Sequence, residues 1–207
     1  MNLANKLTLS RIAVIPLFLV FLFMENMTSD LLVITVSRWC ALVVFIGAAL
    51  TDYYDGKLAR EKRMITNFGR LLDPLADKLL TMSAFVAFVQ LRGPSGHPIF
   101  PAWAIIVILA REFLVTGLRQ LAMTRGRIIQ ADRWGKHKTA WQLAGIITVL
   151  SLLCLHDTLT LCGINAGFIY PYVRGLFLLI LAIIVMLTVI SGGVYLVNNK
   201  DILVDDE

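Results

Sequence analysis

Apolar residues run through this chain in stretches too long and too continuous for a soluble core. Ile12 to Met24 is the first, and with Leu7–Arg11 before it predicts a membrane span whose Arg11 side chain snorkels inward. Further runs predict spans over about 38–60, 70–91, 101–123, 138–155 and 172–197. Each is close to the roughly 20 residues needed to cross about 30 Å of hydrocarbon. The connections between them are polar or rich in turn residues. Met27 to Ser37 reads as an outer connection, 61–69 as a short basic turn and Arg92-Gly-Pro-Ser-Gly-His-Pro as a loop. Residues 124–137 form a basic inner loop, and an outer loop leads to Pro171. Residues 1–9 alternate apolar and polar groups, which predicts a short amphipathic N-terminal segment on the inner surface. Pro16 is expected to kink the first span, with its freed carbonyl satisfied by neighbours.

The expected fold is therefore all-α integral membrane, one domain over 1–207, with six transmembrane helices and both termini on the inner side. Lys6 and Arg11 ahead of an apolar run also suit a signal peptide. The following Glu-Asn-Met-Thr-Ser-Asp lacks the small-residue pattern of a cleavage site, so the segment is expected to be retained.

Composition strengthens the membrane assignment. The chain is 58% hydrophobic and only 16% charged, against roughly 25% charged in soluble domains. That leaves no room for a sizeable soluble domain. The distribution of charge then sets orientation. With the N-terminus inside, fifteen of the 19 Lys and Arg residues fall on the inner side. Only Arg38, Arg92 and Arg174 lie outside, and Arg111 lies within a span. The positive-inside rule makes this a multi-pass protein of the inner (cytoplasmic) membrane. A basic inner face also suits anionic lipid headgroups and phosphorylated substrates. Cys40, Cys154 and Cys162 form no C-x-x-C pair and read as small apolar fillers. His97, His137 and His156 have no ligand spacing.

The chemistry lies between Asp52 and Asp77. Asp52 and Asp55 are three apart, and Asp73 and Asp77 four apart, so on helices each pair shares a face. A helical hairpin turning near residue 64 brings Asp52 level with Asp77 and Asp55 level with Asp73. Four converging carboxylates repel one another unless cations hold them. A cap explains Asp73 alone, because Pro74 suits a first helical turn, but caps do not explain matched depths on two segments. With oxygen ligands only, the expected ions are hard: Mg²⁺, Mn²⁺ or Ca²⁺. Two ions on four carboxylates is an arrangement that clamps attacking and leaving oxygens in phosphoryl transfer. Gly56 and Ala59 let a ligand approach the backbone, and Arg60 offers a planar fork to phosphate. The same small residues also suit plain helix packing.

Asp52-x-x-Asp55-Gly56-x-x-Ala59-Arg60-x8-Gly69-x-x-x-Asp73-x-x-x-Asp77 resembles, without departure, the signature of the CDP-alcohol phosphatidyltransferases. The resemblance implies a homodimeric membrane enzyme with a polar cavity open to the cytoplasm and two Mg²⁺ or Mn²⁺ ions. It implies CDP-diacylglycerol as donor, with an alcohol attacking the lipid-side phosphate and CMP leaving. Carried over by position, Asp52, Asp55, Asp73 and Asp77 are the expected metal ligands, and Asp77 the general base. Asn5, Thr8, Asp52, Gly56, Ala59, Arg60, Thr66 and Gly69 are the expected CDP-lipid contacts. No nucleic-acid partner is implied.

Arg111 bears on the acceptor. It lies about ten residues, roughly 15 Å of helix, from Pro101, too deep for a surface charge. It serves either a polar contact to Glu112 or an Asp, or a basic acceptor-phosphate pocket built with Arg119, Lys136 and Lys138. Lys136 and Lys138 also fit as ordinary positive-inside residues. Ala110-Arg111-Glu112 through Arg119, and Gly135-Lys136-His137-Lys138 through Gln142, resemble the phosphatidylglycerophosphate-forming branch of the same family. That implies glycerol 3-phosphate as acceptor, ahead of serine, inositol phosphate or a second phospholipid. A divalent-cation transporter is the competing class. It would favour midplane acids in broken helices and internal repeats, and neither is visible.

Overall fold

The computed structural model of the chain describes the backbone of residues 3–62, 67–93, 96–124, 133–164, 167 and 170–199. Side chains are described for residues 12–51, 78–93, 96–124, 135, 137–164, 167 and 170–199. Among these residues the architecture is helical: α1 (Leu3–Leu22), α2 (Leu31–Lys62), α3 (Asn67–Gln90), α4 (Ala102–Thr124), α5 (Arg133–Leu161) and α6 (Tyr170–Asn198). A single 3₁₀ turn, Met24–Asn26, joins α1 to α2. The described extended pairing is one isolated antiparallel bridge, Arg92 with Pro98.

Among the described residues, three stretches are long and apolar enough to cross a membrane: Leu31–Thr51 of α2, His137–Leu161 of α5 and Tyr170–Asn198 of α6. Within the residues whose side chains are described, Ile12–Leu22 of α1 and Lys78–Gln90 of α3 are shorter apolar stretches. In α4 the apolar run is interrupted by Arg111, Glu112 and Arg119, the residues that form the polar interior described below.

Several boundaries differ from the sequence expectation, and each difference has a local cause. The N-terminal segment is the first part of α1, which continues without a break through Pro16 to Leu22. The connection after Met27 ends at Asp30, so Leu31–Ser37 is helical instead of loop. Asp30 caps α2: its Oδ1 accepts the Leu32 N–H at 2.9 Å, satisfying a donor that the first turn leaves unpaired. Thr28 Oγ1 in turn accepts the Asp30 N–H at 3.2 Å. In α5 the helix continues past 155 to Leu161. Thr158 Oγ1 and Thr160 Oγ1 bond back to the carbonyls four residues earlier, so these hydroxyls need no water there.

One contiguous apolar core joins all six helices. Phe18 of α1 meets Phe45 of α2 with ring centroids 5.6 Å apart. Phe88 of α3 meets Phe100 edge-on at 5.4 Å. Phe100 is carried back into the core by the α3–α4 loop, where its N–H donates to the Phe88 carbonyl at 3.1 Å. In lipid there is little hydrophobic drive between helices, so close approach matters more. Gly145 provides it: a Cβ there would lie 2.8 Å from Ile184 Cδ1 and 2.9 Å from Ile180 Cγ2 of α6. α1 packs on both α2 and α3, while α5 packs on α2 and α6.

Arg38 is not the exposed outer charge that its position in the sequence suggests. Its side chain is 9% exposed and lies between two carboxylates. Nη1 donates to Asp157 Oδ2 of α5 at 2.5 Å, and Nη2 pairs with Glu25 of the 3₁₀ turn. Trp39 Nε1 donates to Thr158 Oγ1 at 3.1 Å alongside. This cluster ties the α1–α2 connection to the C-terminal end of α5.

Removing one partner of a buried pair leaves an uncompensated charge, which costs about 3–5 kcal/mol. Arg38→Leu, which leaves Asp157 and Glu25 without the cation they share, is therefore expected to lower stability by about that amount, read as the shift in thermal unfolding of detergent-purified protein. A loss below about 1 kcal/mol would place the pair among surface ion pairs instead.

Candidate active site

The acidic stretch is helical on both sides of its midpoint. Asp52, Asp55, Gly56, Ala59 and Arg60 lie in the last third of α2, and Gly69, Asp73 and Asp77 in the first half of α3. The expected turn near 64 falls in residues 63–66, outside the described residues, as does Thr66. Because α3 begins at Asn67, Pro74 is its eighth residue and not part of its first turn. Asp73 is accordingly inside the helix, which removes the capping alternative. Pro74 has no N–H to give the Arg70 carbonyl, so the ladder loses one bond there. The side chains of residues 52–77, of Asn5 and Thr8 in α1 and of Lys136 in α5 lie outside the described residues. For these positions the structure supplies the helical spacing. The donor set, all carboxylate oxygen at i,i+3 and i,i+4, is of the kind that hard divalent cations require.

One residue beyond Asp77 the described part of the site begins. Lys78 of α3, Arg111 and Glu112 of α4 and Lys138 of α5 meet around the Glu112 carboxylate. Oε2 is 3.1 Å from Lys78 Nζ, Oε1 pairs with Lys138 Nζ, and Arg111 Nη1 is 3.9 Å from Oε1. The side chains of Lys138, Glu112 and Arg111 are 2%, 8% and 13% exposed. Lys78 Nζ also donates to Thr116 Oγ1, which bonds back to the Glu112 carbonyl at 2.7 Å. Gln142, one turn after Lys138 on α5, is buried as well. On α4 the residues 111, 112, 115, 116 and 119 recur at helical spacing and share one side of the helix.

Sequence reasoning named Arg111 and Lys138 and left open whether Arg111 contacts Glu112 or serves a pocket. The structure shows Glu112 beside both cations. The sequence pattern does not single out Lys78, Thr116 or Gln142. Lys78 directly follows an acid of the motif, and Gln142 lies four residues after Lys138, so spacing on α3 and α5 was the available signal. Arg119 lies within electrostatic reach of Arg111, and Lys138 within reach of Arg111 and Lys78.

The charge balance constrains what this interior can do. Among the described residues, and setting Lys78 aside, Arg111 and Lys138 share the Glu112 carboxylate, and Arg119 adds a further positive charge. Buried charge in a membrane protein needs a partner, and an excess of cations suits an anion. Arginine forks and a lysine ammonium together match the oxygens of a phosphate.

A model of the CDP-alcohol phosphatidyltransferase family matches residues 1–194. The chain is 39% identical over 206 residues to a Bacillus subtilis protein named CDP-diacylglycerol–glycerol-3-phosphate 3-phosphatidyltransferase, covering 98% of this chain and 97% of the relative. A Rickettsia typhi protein of the same name is 32% identical over 194 residues, 94% of each chain. A Mycobacterium tuberculosis protein named probable phosphatidylglycerophosphate synthase is 40% identical over 145 residues, 70% of this chain and 64% of the relative.

If Glu112 is the shared counter-ion, Glu112→Leu leaves Lys138 buried without it and should destabilise by about 3–5 kcal/mol. The double variant Glu112→Leu/Lys138→Met should be more stable than Glu112→Leu alone. Thermal unfolding of the four proteins in one double-mutant cycle checks this, and strictly additive losses would contradict it.

Proposed function

The chain belongs to the CDP-alcohol phosphatidyltransferase family, and on that premise we propose that it transfers the phosphatidyl group of CDP-diacylglycerol to glycerol 3-phosphate, giving phosphatidylglycerol phosphate and CMP. The observation that carries a phosphorylated acceptor is the buried convergence of Arg111 and Lys138, with Arg119 two turns on along α4, and the names of the relatives favour glycerol 3-phosphate among such acceptors. A phosphorylated alcohol brings negative charge to an interior whose described residues hold more cations than carboxylates. Serine, which carries no phosphate, would leave the excess unanswered.

In this reading Asp52, Asp55, Asp73 and Asp77 would hold two Mg²⁺ or Mn²⁺ ions. When bound, the ions neutralise the diphosphate and the departing CMP. Asn5, Thr8, Gly56, Ala59, Arg60, Thr66 and Gly69 hold the CDP-lipid so that its lipid-side phosphorus faces the acceptor. Arg111, Arg119, Lys136 and Lys138 hold the acceptor's phosphate and so place its hydroxyl. That hydroxyl oxygen forms the new P–O bond while the bond to CMP breaks, and CMP leaves with the electron pair. An alcohol is a weak acid at neutral pH, so Asp77 accepts its proton during attack. A carboxylate near cations is a weak base, and orientation therefore supplies much of the rate.

The six helices are read as six spans, α4 among them because its charged residues face the bundle interior. The excess of Lys and Arg in the inner segments supports both termini and the acids lying on the cytoplasmic side. The polar interior is then a cavity open to the cytoplasm, and family membership supports a homodimer.

Purified protein given CDP-diacylglycerol, Mg²⁺ and glycerol 3-phosphate is expected to release CMP, and little when serine or inositol phosphate replaces the acceptor. Chelation with EDTA should stop turnover, and Mg²⁺ or Mn²⁺ should restore it. Asp77→Asn should abolish turnover while CDP-lipid binding remains measurable; retained turnover refutes the base.

Arg111→Ala should raise the KM for glycerol 3-phosphate by roughly ten-fold or more, as expected for losing a hydrogen bond to a charged group, with a smaller effect on the CDP-lipid KM. Equal effects on both KM values would count against an acceptor pocket.

A further inference from the structure

α6 forms one wall of the polar interior, and nothing above gives it a chemical part. Two of its residues lie against the basic face of α4. A Cβ at Gly192 would lie 3.0 Å from Arg111 Cγ, so the absence of a side chain there lets the Arg111 stem pass. One turn later Tyr195 is 3% exposed, its ring packed with Val115 and Leu118 of α4. Those two lie between Arg111 and Arg119, and Tyr195 and Arg119 are both within electrostatic reach of Arg111.

Packing accounts for the ring but not for the hydroxyl. Buried tyrosine hydroxyls usually find a partner, because leaving one unmade is costly. Here the Tyr195 hydroxyl has no hydrogen-bond partner among the described residues, and neither do Arg111 Nε and Arg119 Nε. Phe would fill the same space without an orphaned oxygen. Two guanidinium N–H groups and one O–H on neighbouring faces share a need for an acceptor. Glu112 is already engaged by lysines from α3 and α5.

We propose that the Tyr195 hydroxyl donates a hydrogen bond to the phosphate of the acceptor alcohol, alongside Arg111 and Arg119, so that α6 contributes to acceptor selection. This rests on the reading of the acceptor given above and adds to it a residue that the basic motif does not include. Tyr195 takes no part in proton transfer; it binds a non-reacting end of the substrate.

Tyr195→Phe tests this, because it removes one oxygen and keeps the ring against Val115 and Leu118. Steady-state rates are measured with glycerol 3-phosphate varied at saturating CDP-diacylglycerol, and the reverse. The expected result is a KM for glycerol 3-phosphate raised roughly ten-fold, as for a hydrogen bond to a charged group, with the CDP-diacylglycerol KM within two-fold of wild type. The ligand-free variant should unfold thermally at or above the wild-type temperature, since an unpartnered buried hydroxyl contributes nothing. An unchanged glycerol 3-phosphate KM, or both KM values rising together, overturns the proposal. A clearly lowered unfolding temperature does so too, because it would mean the hydroxyl has a protein partner. A wild-type enzyme that ignores glycerol 3-phosphate overturns the acceptor reading itself. Wild type that uses it, matched by Tyr195→Phe, overturns the Tyr195 role alone.

Discussion

Glu112 is a carboxylate surrounded by cations within an apolar bundle, and the arrangement of three helices depends on it. A lone carboxylate at this depth would be expensive, and so would an unpaired Lys138. Joined, they draw α3, α4 and α5 to one point by charge, where lipid provides little hydrophobic force to do so. Among the described residues that one carboxylate faces more than one cation. On the proposed reading, the acceptor's phosphate would answer that shortfall, so the interaction that joins the three helices would also select the substrate's charge.

The other end of the bundle has the converse balance. Arg38 is one cation between two carboxylates, Glu25 and Asp157. Lys138 and Asp157 lie on the same helix, 19 residues apart, so roughly 28 Å separates the two ends along α5. Between them lies the phenylalanine and aliphatic core, with Gly145 bringing α5 and α6 together. Each end is thus polar and largely buried, but among the described residues the Arg38 end carries more carboxylates than cations and the Glu112 end more cations than carboxylates.

How much of this could be read from the sequence depended on how local the cause was. The acids are legible because spacing on a helix is a property of the chain alone, and α2 and α3 have the helical backbone that the spacing assumed. The basic residues of α4 and α5 are legible because a charge deep in an apolar run is conspicuous. The start of α2 was not, because Arg38 looked like a boundary while the cap lay at Asp30, one side-chain bond away from loop. Arg38's burial needed Asp157, 119 residues distant, to be explained. Pro74 suggested a helix start, but α3 had already begun seven residues earlier. Tyr195 gave no signal at all, since one tyrosine in an apolar helix looks like any core aromatic until its hydroxyl is seen without a partner.

The length of α2 has a consequence for where lipid and water-soluble reactants meet. Its apolar part, Leu31–Thr51, is 21 residues, about 31 Å, which uses up the whole hydrocarbon thickness. The helix then continues for eleven more residues to Lys62, about another 16 Å, so with Leu31–Thr51 spanning the hydrocarbon the stretch from Asp52 to Lys62 would lie at the level of the headgroups. A glycerolipid can keep both acyl chains among its neighbours while its headgroup is worked on at that level. A small charged alcohol can reach the same level from solution without ever entering oil.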